Sequence, residues 1–538
     1  MHIAIPFDIE TVKQSWGQTA RMWGRVMGNH TFIRALAEAE ACTRLTLLVP
    51  GRQDVEILEK TLLPGLGAAR TKVTAVPFAR LQAHLTAAPV DVMHMLDPNM
   101  WFAAHIRARL VHGSFPVTGV THSLGNQHFL EWALLNNANG VQPDDCLVCS
   151  TPTAQAVVES IFSRLVDGQP GFTVPATTVI PFGVSVAGFA GTRSESRTAL
   201  GMAADTFVVL SLARFNPLFK MDLRPQLHLA SRVVARLGRP VKFVLAGSSG
   251  DGDYVRFIRD QARALGLEGS LEFVLDPDEA RKVHLLRAAD VFLSLSDNIQ
   301  ETFGLTPIEA MAAGVPVVAS DWDGYRSLIE HGVSGYLVPT KALAPESSWE
   351  ATLALRYDSL VHLFSAQSTA VDLDAAGDYL VQLADDSSLR ETMAAAALVR
   401  ARRFDWPLVI GEYVELWKRL LAARGAAASA AEGPRRSSAL RFTEDFAGYA
   451  TSLLKPADRF RTTPSGTALL TTKLAMVLYH ETDEFLDREL MAAILRHCAD
   501  GRSVTQLAGV LQGGEAGADV QLGQNVLWLY KYGYLQLD

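Results

Sequence analysis

The chain has 538 residues, of which 49% are hydrophobic and 20% charged, and its formal net charge is −8. This length is too great for one hydrophobic core and allows about three domains of on the order of 150 residues each. The negative charge disfavours a nucleic-acid partner, and no apolar run approaches the roughly 18 residues of a membrane-spanning helix. Together with four cysteines, which suit a reducing compartment, these features predict a cytoplasmic protein without a transmembrane segment.

Short apolar runs alternate with segments of helical spacing through residues 1–184. The runs that predict strands are 2–6, 46–49, 91–95 and 117–121. This alternation predicts a Rossmann-like domain over residues 1–184. Cys146 and Cys149 form a CxxC, which could indicate a redox or zinc site. Because the pair lies in the apolar run CLVCS and no second CxxC follows, a buried strand explains it better.

Two residues of this first domain are candidates for ligand contact. Gly28 lies just before the helix predicted in GNHTFIRALAEA, so its backbone could approach a phosphate, and a plain helix cap is an equal alternative. His122 directly follows the strand predicted at 117–121, which would place it at the cleft of an open α/β sheet. An imidazole there suits hydrogen bonding or proton exchange, and a histidine that ends a strand by chance is the alternative.

A second series of strands and helices covers residues 185–405 and predicts a second Rossmann-like domain. Arg214 directly follows the strand predicted at 206–213, and Lys220 comes six positions later in RFNPLFK. A guanidinium can fork two oxygens and an ammonium acts as a point charge, so the pair suits a diphosphate. A solvated loop would explain either cation alone.

The motif DNIQETFGLTPIEAMAAGVPVVAS, residues 297–320, is the centre of this domain. Thr306 before a proline predicts that a helix starts there, which places Glu309 in its first turn and Glu301 in the preceding loop. Gly304 leads the backbone into the helix N-terminus, where unpaired N–H groups and the helix dipole favour an anion. Apolar runs on both sides predict a βαβ unit with a ligand site at the carboxyl end of its first strand.

Four further segments complete the chain. Asp321 and Asp323 form a DxD, which we interpret as turn residues rather than as metal ligands. Residues 341–374 have few periodic signals and are interpreted as an insertion. A strong amphipathic helix is predicted over 406–424, followed by a linker at 425–437 that is rich in small residues.

The sequence of residues 438–538 predicts a small, mainly helical domain with a helix-turn-helix core and a terminal wing. Ser503 is the expected N-cap of a helix in that core. From Lys473 to Asp538 there are five Lys or Arg against nine Asp or Glu, and none of the cations lies within 503–512. DNA binding is therefore disfavoured. A module that binds a peptide, a protein or another subunit is the better interpretation.

Three segments together resemble a known family: RFNPLFK, ETFGLTPIEAMAAGVPVVAS and HGVSGYLVP. They are similar to the retaining glycosyltransferases of family 4, and the resemblance covers about residues 1–424. It implies the α/β GT-B fold, in which two Rossmann-like domains face each other across a cleft. It also implies a UDP- or GDP-sugar donor bound by the second domain, hexosyl or N-acetylhexosaminyl transfer, and no cofactor or metal.

The resemblance assigns donor-binding roles in the second domain. Arg214 and Lys220 would bind the diphosphate and offset charge on the leaving group. Backbone N–H groups around Phe303, Gly304 and Leu305 would extend that cradle. Glu309 would accept hydrogen bonds from the ribose hydroxyls.

It assigns the remaining roles around the transferred sugar. Glu301 would lie near the sugar, and His122 would bind a sugar hydroxyl rather than act as a general base. Gly28 would close on the phosphates, although GRVMGNH departs from the paired glycines of the family. In such retaining transfers the departing phosphate oxygen is thought to take the acceptor proton.

The C-terminal domain resembles winged-helix modules of the PqqD kind, which bind leader peptides, through HCADGRSVTQLAGVL and YGYLQL. This resemblance implies a peptide or protein acceptor, and a glycan acceptor stays open. Residues 438–538 are also candidates for binding a partner protein or for forming a homo-oligomer. A GT-B phosphorylase is disfavoured because no lysine can be assigned to pyridoxal phosphate. A catalytically weak scaffold that binds nucleotide sugars or a partner protein is the alternative function.

Overall fold

The structure, a computed structural model, describes residues 1–7, 24–111, 115–125, 127–248, 252–344, 347–353, 355, 358–427, 442–445, 447–471, 486–511 and 519–538. The chain divides into two compact units. The first comprises Met1–Leu48, Ile57–Val76 and Gln82–Ser438, and the second comprises Val49–Glu56, Pro77–Leu81 and Ala439–Asp538. The apolar spacing of residues 474–479 also predicts a helix, and this segment and most of the predicted linker lie outside the described residues.

The first sheet has seven strands in the order β3-β2-β1-β4-β5-β6-β7. They are β1 (His2–Pro6), β2 (Arg44–Val49), β3 (Val73–Pro77), β4 (Val92–His94), β5 (Val117–Val120), β6 (Cys146–Cys149) and β7 (Ala176–Val179). The pairs from β2 through β7 are parallel, as expected for short apolar strands that are buried on both faces. The helices of this region are α1 (Gly24–Glu38), α2 (Arg52–Lys60), α3 (Leu81–Ala87), α4 (Trp101–His105), α5 (Gln127–Ala138) and α6 (Pro152–Gly168). Shorter 3-10 segments cover Leu63–Lys72, Phe78–Arg80 and Val186–Phe189, and a π-helical segment covers Ile106–Leu110.

The interpretation of the CxxC as a buried strand is confirmed. Cys146 and Cys149 are the two ends of β6, which pairs with β5 and β7. Burial raises the pKa of each thiol to about 12, so neither is a ready thiolate.

The second sheet has six strands in the order β10-β9-β8-β11-β12-β13, and all its neighbouring pairs are parallel. They are β8 (Phe207–Leu212), β9 (Val241–Gly247), β10 (Leu271–Leu275), β11 (Val291–Ser294), β12 (Val317–Ser320) and β13 (Gly335–Val338). The helices beside them are α7 (Arg193–Leu200), α8 (Arg224–Leu237), α9 (Gly252–Ala264), α10 (Glu279–Ala288), α11 (Leu305–Ala312) and α12 (Tyr325–Leu328).

The region predicted to be an insertion has secondary structure of its own. It contains β14 (Thr340–Ala342), α13 (Ser347–Leu353), α14 (Asp358–Gln367) and β15 (Thr369–Val371), with β14 and β15 antiparallel. The chain continues through α15 (Leu373–Asp385), α16 (Ser387–Ala401), a 3-10 turn at Arg402–Phe404 and α17 (Trp406–Ala427).

The C-terminal region has a small antiparallel sheet and its own hydrophobic core. Its elements are α18 (Phe442–Asp445), a 3-10 turn at Ala447–Tyr449, β16 (Arg459–Thr462), α19 (Pro464–Thr471), α20 (Arg488–His497), β17 (Arg502–Ser503), α21 (Val504–Leu511), α22 (Asp519–Lys531) and β18 (Leu535–Leu537). The sheet order is β17-β16-β18, and Phe460, Ile494, Leu507 and Leu529 are buried in the core. Ser503 caps α21, because its Oγ accepts a hydrogen bond from the Gln506 backbone N–H at 3.2 Å. The strand β16 was not predicted, and the winged-helix, PqqD-like assignment stays a prediction.

Both Rossmann-like sheets reverse their strand order at a defined point. The chain moves outward from β1 to β3 and then returns to β4 on the other side of β1, and β8 to β11 repeats this pattern. In open α/β sheets the crevice at such a switch point, at the carboxyl ends of the strands, is the usual ligand position. The carboxyl ends of β8 and β11 are therefore where a site is expected in the second domain.

Helix α17 packs against the first sheet. The Trp417 indole N–H donates to Thr118 Oγ1 on β5 at 3.1 Å, and the Trp417 side chain is fully buried. Tyr413 and His94 lie edge-on or tilted against it. No helix in the described residues is both long enough and apolar enough to cross a membrane.

Replacing this buried indole should destabilise the first unit. Trp417→Ala is expected to lower the free energy of unfolding by about 3–5 kcal/mol, because a large side chain and its hydrogen bond are removed from a closed core. Urea unfolding measures the change. Leu408→Ala on the same helix is the control, since Leu408 is 58% exposed and should change stability by less than about 1 kcal/mol. Equal losses in the two variants would contradict the packing role of Trp417.

Candidate functional site

Two of the predicted cations lie in the loop that leaves β8 at the switch point of the second sheet. Arg214 follows this strand by two residues, and Lys220 lies further along the same loop, where its backbone N–H donates to the Asn216 carbonyl at 2.9 Å. Glu301 lies in the loop after β11, the strand next to β8. Burial lowers the pKa of Arg214, and the nearby Glu301 carboxylate opposes that shift. The structure therefore places these two cations and this carboxylate at the same crevice.

Glu301 is the centre of a buried polar cluster. Lys220 Nζ contacts Glu301 Oε2, and the Tyr325 hydroxyl donates to the same oxygen at 3.2 Å. The side chains of Lys220 and Glu301 are only 16% and 11% exposed. Burial alone would raise the pKa of Glu301, but Lys220, Tyr325 and the Phe303 backbone together hold it below the usual value. The carboxylate is thus ionised and fixed in position.

The start of α11 differs from the sequence prediction. The helix begins at Leu305, two residues before Pro307, and its N-cap is Gly304 with φ +114°. Only glycine adopts such a φ readily, and a proline in the first turn is tolerated because the first N–H groups have no helical partner. Glu309 therefore lies in the second turn and not in the first. Phe303, Gly304 and Leu305, which were predicted to bind phosphate, lie at or directly before this helix N-terminus.

Glu309 has a cationic partner that the sequence analysis missed. Lys282 Nζ, on α10, lies 2.9 Å from Glu309 Oε1 and 2.9 Å from Glu279 Oε1. Lys282 is only 7% exposed. Burial by itself lowers the pKa of this lysine, but the two carboxylates outweigh burial and raise it, so the ammonium is charged. Glu309 is consequently held by an ion pair as well as by its helix.

His122 lies where the first domain meets the Glu301 loop. Its Nε2 donates to the Leu96 carbonyl at 2.9 Å, and its ring stacks on Phe182 with centroids 5.0 Å apart. Phe182 in turn contacts the edge of Phe303, at 5.2 Å. The Thr302 hydroxyl also donates to the His122 carbonyl. The backbone of His122 therefore contacts the loop that carries Glu301 directly, and its ring reaches that loop through Phe182.

Three hydroxyl groups of the first domain also donate to backbone carbonyls of the second domain. Ser150 Oγ and Thr151 Oγ1, at the end of β6, donate to the Thr302 carbonyl at 3.3 Å and 3.2 Å. Thr153 Oγ1 donates to the Asp323 carbonyl at 3.4 Å. The peptide between Glu301 and Phe303 is therefore held from both domains.

Gly28 differs from the sequence prediction in its place relative to the first helix. It is inside α1 and not before it, so its N–H belongs to a helical turn, where such donors normally bond the carbonyl four residues earlier. It lines a small, largely apolar pocket with Phe32, His94, Phe182 and Tyr413. Burial lowers the pKa of His94 to about 3, which keeps that ring neutral. The role of Gly28 as a donor ligand stays a prediction.

The aspartates of the DxD occupy a turn. Asp321 pairs with Arg326 at 2.7 Å, and Asp323 has φ +41°, which a non-glycine residue adopts mainly in turns. Burial, with Glu301 nearby, raises the pKa of Asp323 to about 7. Within the described residues, no group of three or more His, Cys, Asp or Glu side chains is placed to hold a metal ion.

Tyr325 and Lys282 were not predicted as site residues, although the sequence around each has a feature that indicates a buried polar group. Lys282 lies on the same helical face as Leu285 and Leu286, and a lysine among buried positions indicates a buried partner. Tyr325 follows the aspartate turn after β12, at the strand end where site residues gather. Neither signal identifies the partner in the site, because Glu309 is 27 positions from Lys282 and Glu301 is 24 positions from Tyr325.

Asp297, shortly after the end of β11, is a buried acid with a raised pKa. It is 6% exposed, and its Oδ1 has no hydrogen-bond partner among the described residues. Burial, with Asp222 nearby, raises its pKa from 3.8 to about 7. Since the folded pKa lies above the unfolded one, the stability that the proton contributes is present below about pH 4 and is lost as the pH rises through 7.

Asp297→Asn should therefore raise the free energy of unfolding at pH 8, by up to about 4 kcal/mol, and leave it nearly unchanged at pH 4. Chemical denaturation at the two pH values measures the difference. The exposed Asp205→Asn is the matched control and should change stability little at either pH. A loss of stability at pH 8 in Asp297→Asn would contradict the raised pKa.

Comparison with known proteins shows what this region resembles. Residues 192–357 match the family model described as Glycosyl transferases group 1. The D-inositol 3-phosphate glycosyltransferase of Saccharomonospora viridis is 31% identical over 269 residues, which cover 49% of this chain and 54% of that protein. The phosphatidyl-myo-inositol mannosyltransferase of Mycolicibacterium smegmatis is 29% identical over 244 residues, 45% of this chain and 52% of that protein. The chain thus spans about half the length of these curated relatives.

Solved structures resemble a larger part of the chain. Anabaena Alr3699/HepE in complex with UDP aligns with 78% of this chain and 100% of its own, with a TM-score of 0.52 and 19% identity. Sucrose-phosphate synthase from Thermosynechococcus elongatus aligns with 79% of this chain and 100% of its own, with a TM-score of 0.52 and 18% identity. These likenesses confirm the predicted GT-B fold of two Rossmann-like domains. The Lys220–Glu301 cluster lies within residues 192–357, the part of the chain that is similar to glycosyl transferases group 1.

Proposed function

We propose that the protein is a retaining glycosyltransferase that moves a sugar from a UDP- or GDP-sugar to an acceptor hydroxyl, without a metal. The observation that carries this proposal is the buried cluster of Lys220, Glu301 and Tyr325 beside Arg214, at the switch point of the second sheet. A catalytically weak scaffold is disfavoured, because an unused site would gain nothing from keeping an ion pair desolvated at a crevice.

The cations and the helix start form the donor end of the proposed site. Arg214 and Lys220 would bind the diphosphate, and the N-terminus of α11 would face it with backbone N–H groups. As the bond to the sugar breaks, negative charge grows on the leaving phosphate, and these groups stabilise it. Glu309, held by Lys282, would accept the ribose hydroxyls.

The proposed transfer step conserves its atoms within the donor and the acceptor. The acceptor oxygen forms a bond to the anomeric carbon on the face from which the diphosphate leaves. The carbon–oxygen bond to the phosphate breaks, and the departing phosphate oxygen takes the acceptor proton. Glu301 lies where its carboxylate would stabilise positive charge on the sugar ring, and His122 would hold a sugar hydroxyl.

The comparisons support parts of the donor and acceptor assignment. A structural neighbour is described in complex with UDP, which favours a uridine diphosphate donor and hexosyl or N-acetylhexosaminyl transfer. The relatives named for inositol 3-phosphate and phosphatidyl-myo-inositol indicate an acceptor hydroxyl on a polyol. The separate C-terminal core supports a peptide or protein acceptor instead, or a partner or second subunit bound through 438–538.

Replacing Lys220 should abolish most of the activity. Wild-type protein incubated with UDP- and GDP-sugars in EDTA should release nucleotide from at least one donor, and Lys220→Ala should reduce turnover about 30- to 1000-fold. This loss corresponds to roughly 2 to 4 kcal/mol of transition-state stabilisation, as for an oxyanion donor.

Lys242→Ala is the matched control for this measurement. Lys242 is on β9 of the same sheet and pairs with Glu272 at 3.7 Å, in a partly exposed position. Its replacement should leave turnover unchanged. Wild-type turnover in Lys220→Ala would refute the diphosphate role. Failure of every donor to bind or react would refute the enzyme assignment and favour the scaffold.

Removal of residues 438–538 should separate the donor and acceptor steps. Donor hydrolysis is expected to persist, because every predicted donor group lies before residue 310, whereas transfer to a peptide or protein acceptor should fall. Nucleotide release and product mass report the two steps. Loss of folding, seen as loss of cooperative unfolding, would show that this region stabilises the rest of the chain instead.

A further inference from the structure

We propose that Tyr325 is a positioning residue that fixes the Glu301 carboxylate and the start of α11 in one geometry. This inference rests on the proposed glycosyl transfer and names a residue that the transfer depends on. Tyr325 is completely buried, so it does not contact the donor itself.

The directions of the hydrogen bonds of Tyr325 follow from the chemistry of its partners. Its hydroxyl lies 3.2 Å from Glu301 Oε2 and 2.8 Å from Ser294 Oγ. An ionised carboxylate only accepts, so the single phenolic hydrogen points to Glu301, and Ser294 must donate to the phenol oxygen. Ser294 is the last residue of β11, so the chain of donors starts on the rigid sheet. This geometry fixes one oxygen of Glu301 relative to the sheet.

The ring of Tyr325 fixes the helix start at the same time. A Cβ built on Gly304 would lie 2.5 Å from Tyr325 Cε1 and 2.8 Å from Cδ1. A Cβ on Gly324 would lie 2.5 Å from Phe303 Cα and 2.6 Å from the Thr302 carbonyl oxygen. Residues 324–325 therefore pack directly against the turn 302–304, and the Tyr325 ring contacts Gly304, the N-cap of α11.

Donor binding makes this support necessary. Lys220 contacts Glu301 here, yet the same ammonium is the proposed partner of the donor diphosphate. A diphosphate carries more charge than one carboxylate, so binding would draw Lys220 away from Glu301. Tyr325 is neutral and buried, so its hydrogen bond to Glu301 would remain. This hydrogen bond would keep the Glu301 carboxylate facing the sugar while Lys220 binds phosphate.

The test is Tyr325→Phe, which removes the hydroxyl and keeps the ring against Gly304. We expect kcat to fall about 10- to 100-fold, the range for a lost hydrogen bond to a charged group, while the donor KM stays within about twofold. The acid limb of the pH–kcat profile should move to higher pH, because this hydrogen bond helps to hold the pKa of Glu301 down. Tyr336→Phe is the matched control: its hydroxyl bonds Gln382 Oε1 at 3.0 Å, away from the crevice, and its loss should leave kcat and the pH profile unchanged.

A double-variant cycle separates positioning from general support of the fold. In the Glu301→Gln background, Tyr325→Phe should lower kcat by less than about twofold, because the group through which it acts has changed. The same fold-loss in both backgrounds, or an unaltered kcat in the single variant, would overturn the inference while wild-type activity upholds the proposed function. A wild-type protein that turns over no donor would overturn the proposed function, and this inference with it.

Discussion

The site depends on one buried ion pair, that of Lys220 and Glu301. Two charges removed from water cost more than they return unless other polar groups complete their hydrogen bonds. Tyr325 and the Phe303 backbone supply these bonds to Glu301, so the cluster is tolerated at the floor of a crevice. The strand order of the second sheet provides the location, because Lys220 follows β8 and Glu301 follows β11, its neighbour.

The second glutamate of the motif, Glu309, is also paired with a buried lysine. Glu309 is buried in α11 and is neutralised by Lys282 from α10, which also serves Glu279. Each of the two glutamates therefore has its own lysine, and the lysines come from different elements of the domain. These buried carboxylates are therefore charge-balanced locally, and under the proposed function an anionic donor would bind by exchanging ion-pair partners.

Much of this site could be predicted from the sequence, for physical reasons that differ from residue to residue. The strands could be predicted because runs such as CLVC are apolar and continuous in the sequence. Arg214, Lys220 and Glu301 could be predicted as site residues because they come after the ends of such strands. The helix start was misplaced by two residues because the left-handed conformation of Gly304, and not Thr306, begins α11. Gly28 was misplaced in the same direction, since its helix begins at Gly24, earlier than apolar spacing suggests. Tyr325 and Lys282 were missed because their roles are defined by partners brought close only by the parallel sheet.

The hydroxyl contacts at Thr302 differ in strength from the contacts of the charged cluster. Ser150 and Thr151 both donate to one carbonyl oxygen, which has two lone pairs, so its capacity is filled from the first domain. Water can replace neutral hydroxyl donors at little net cost, unlike the partners of a desolvated charge. The hydroxyl contacts between the two domains are therefore individually weaker, and more readily exchanged with water, than the hydrogen bonds to the charged Glu301 carboxylate beside them.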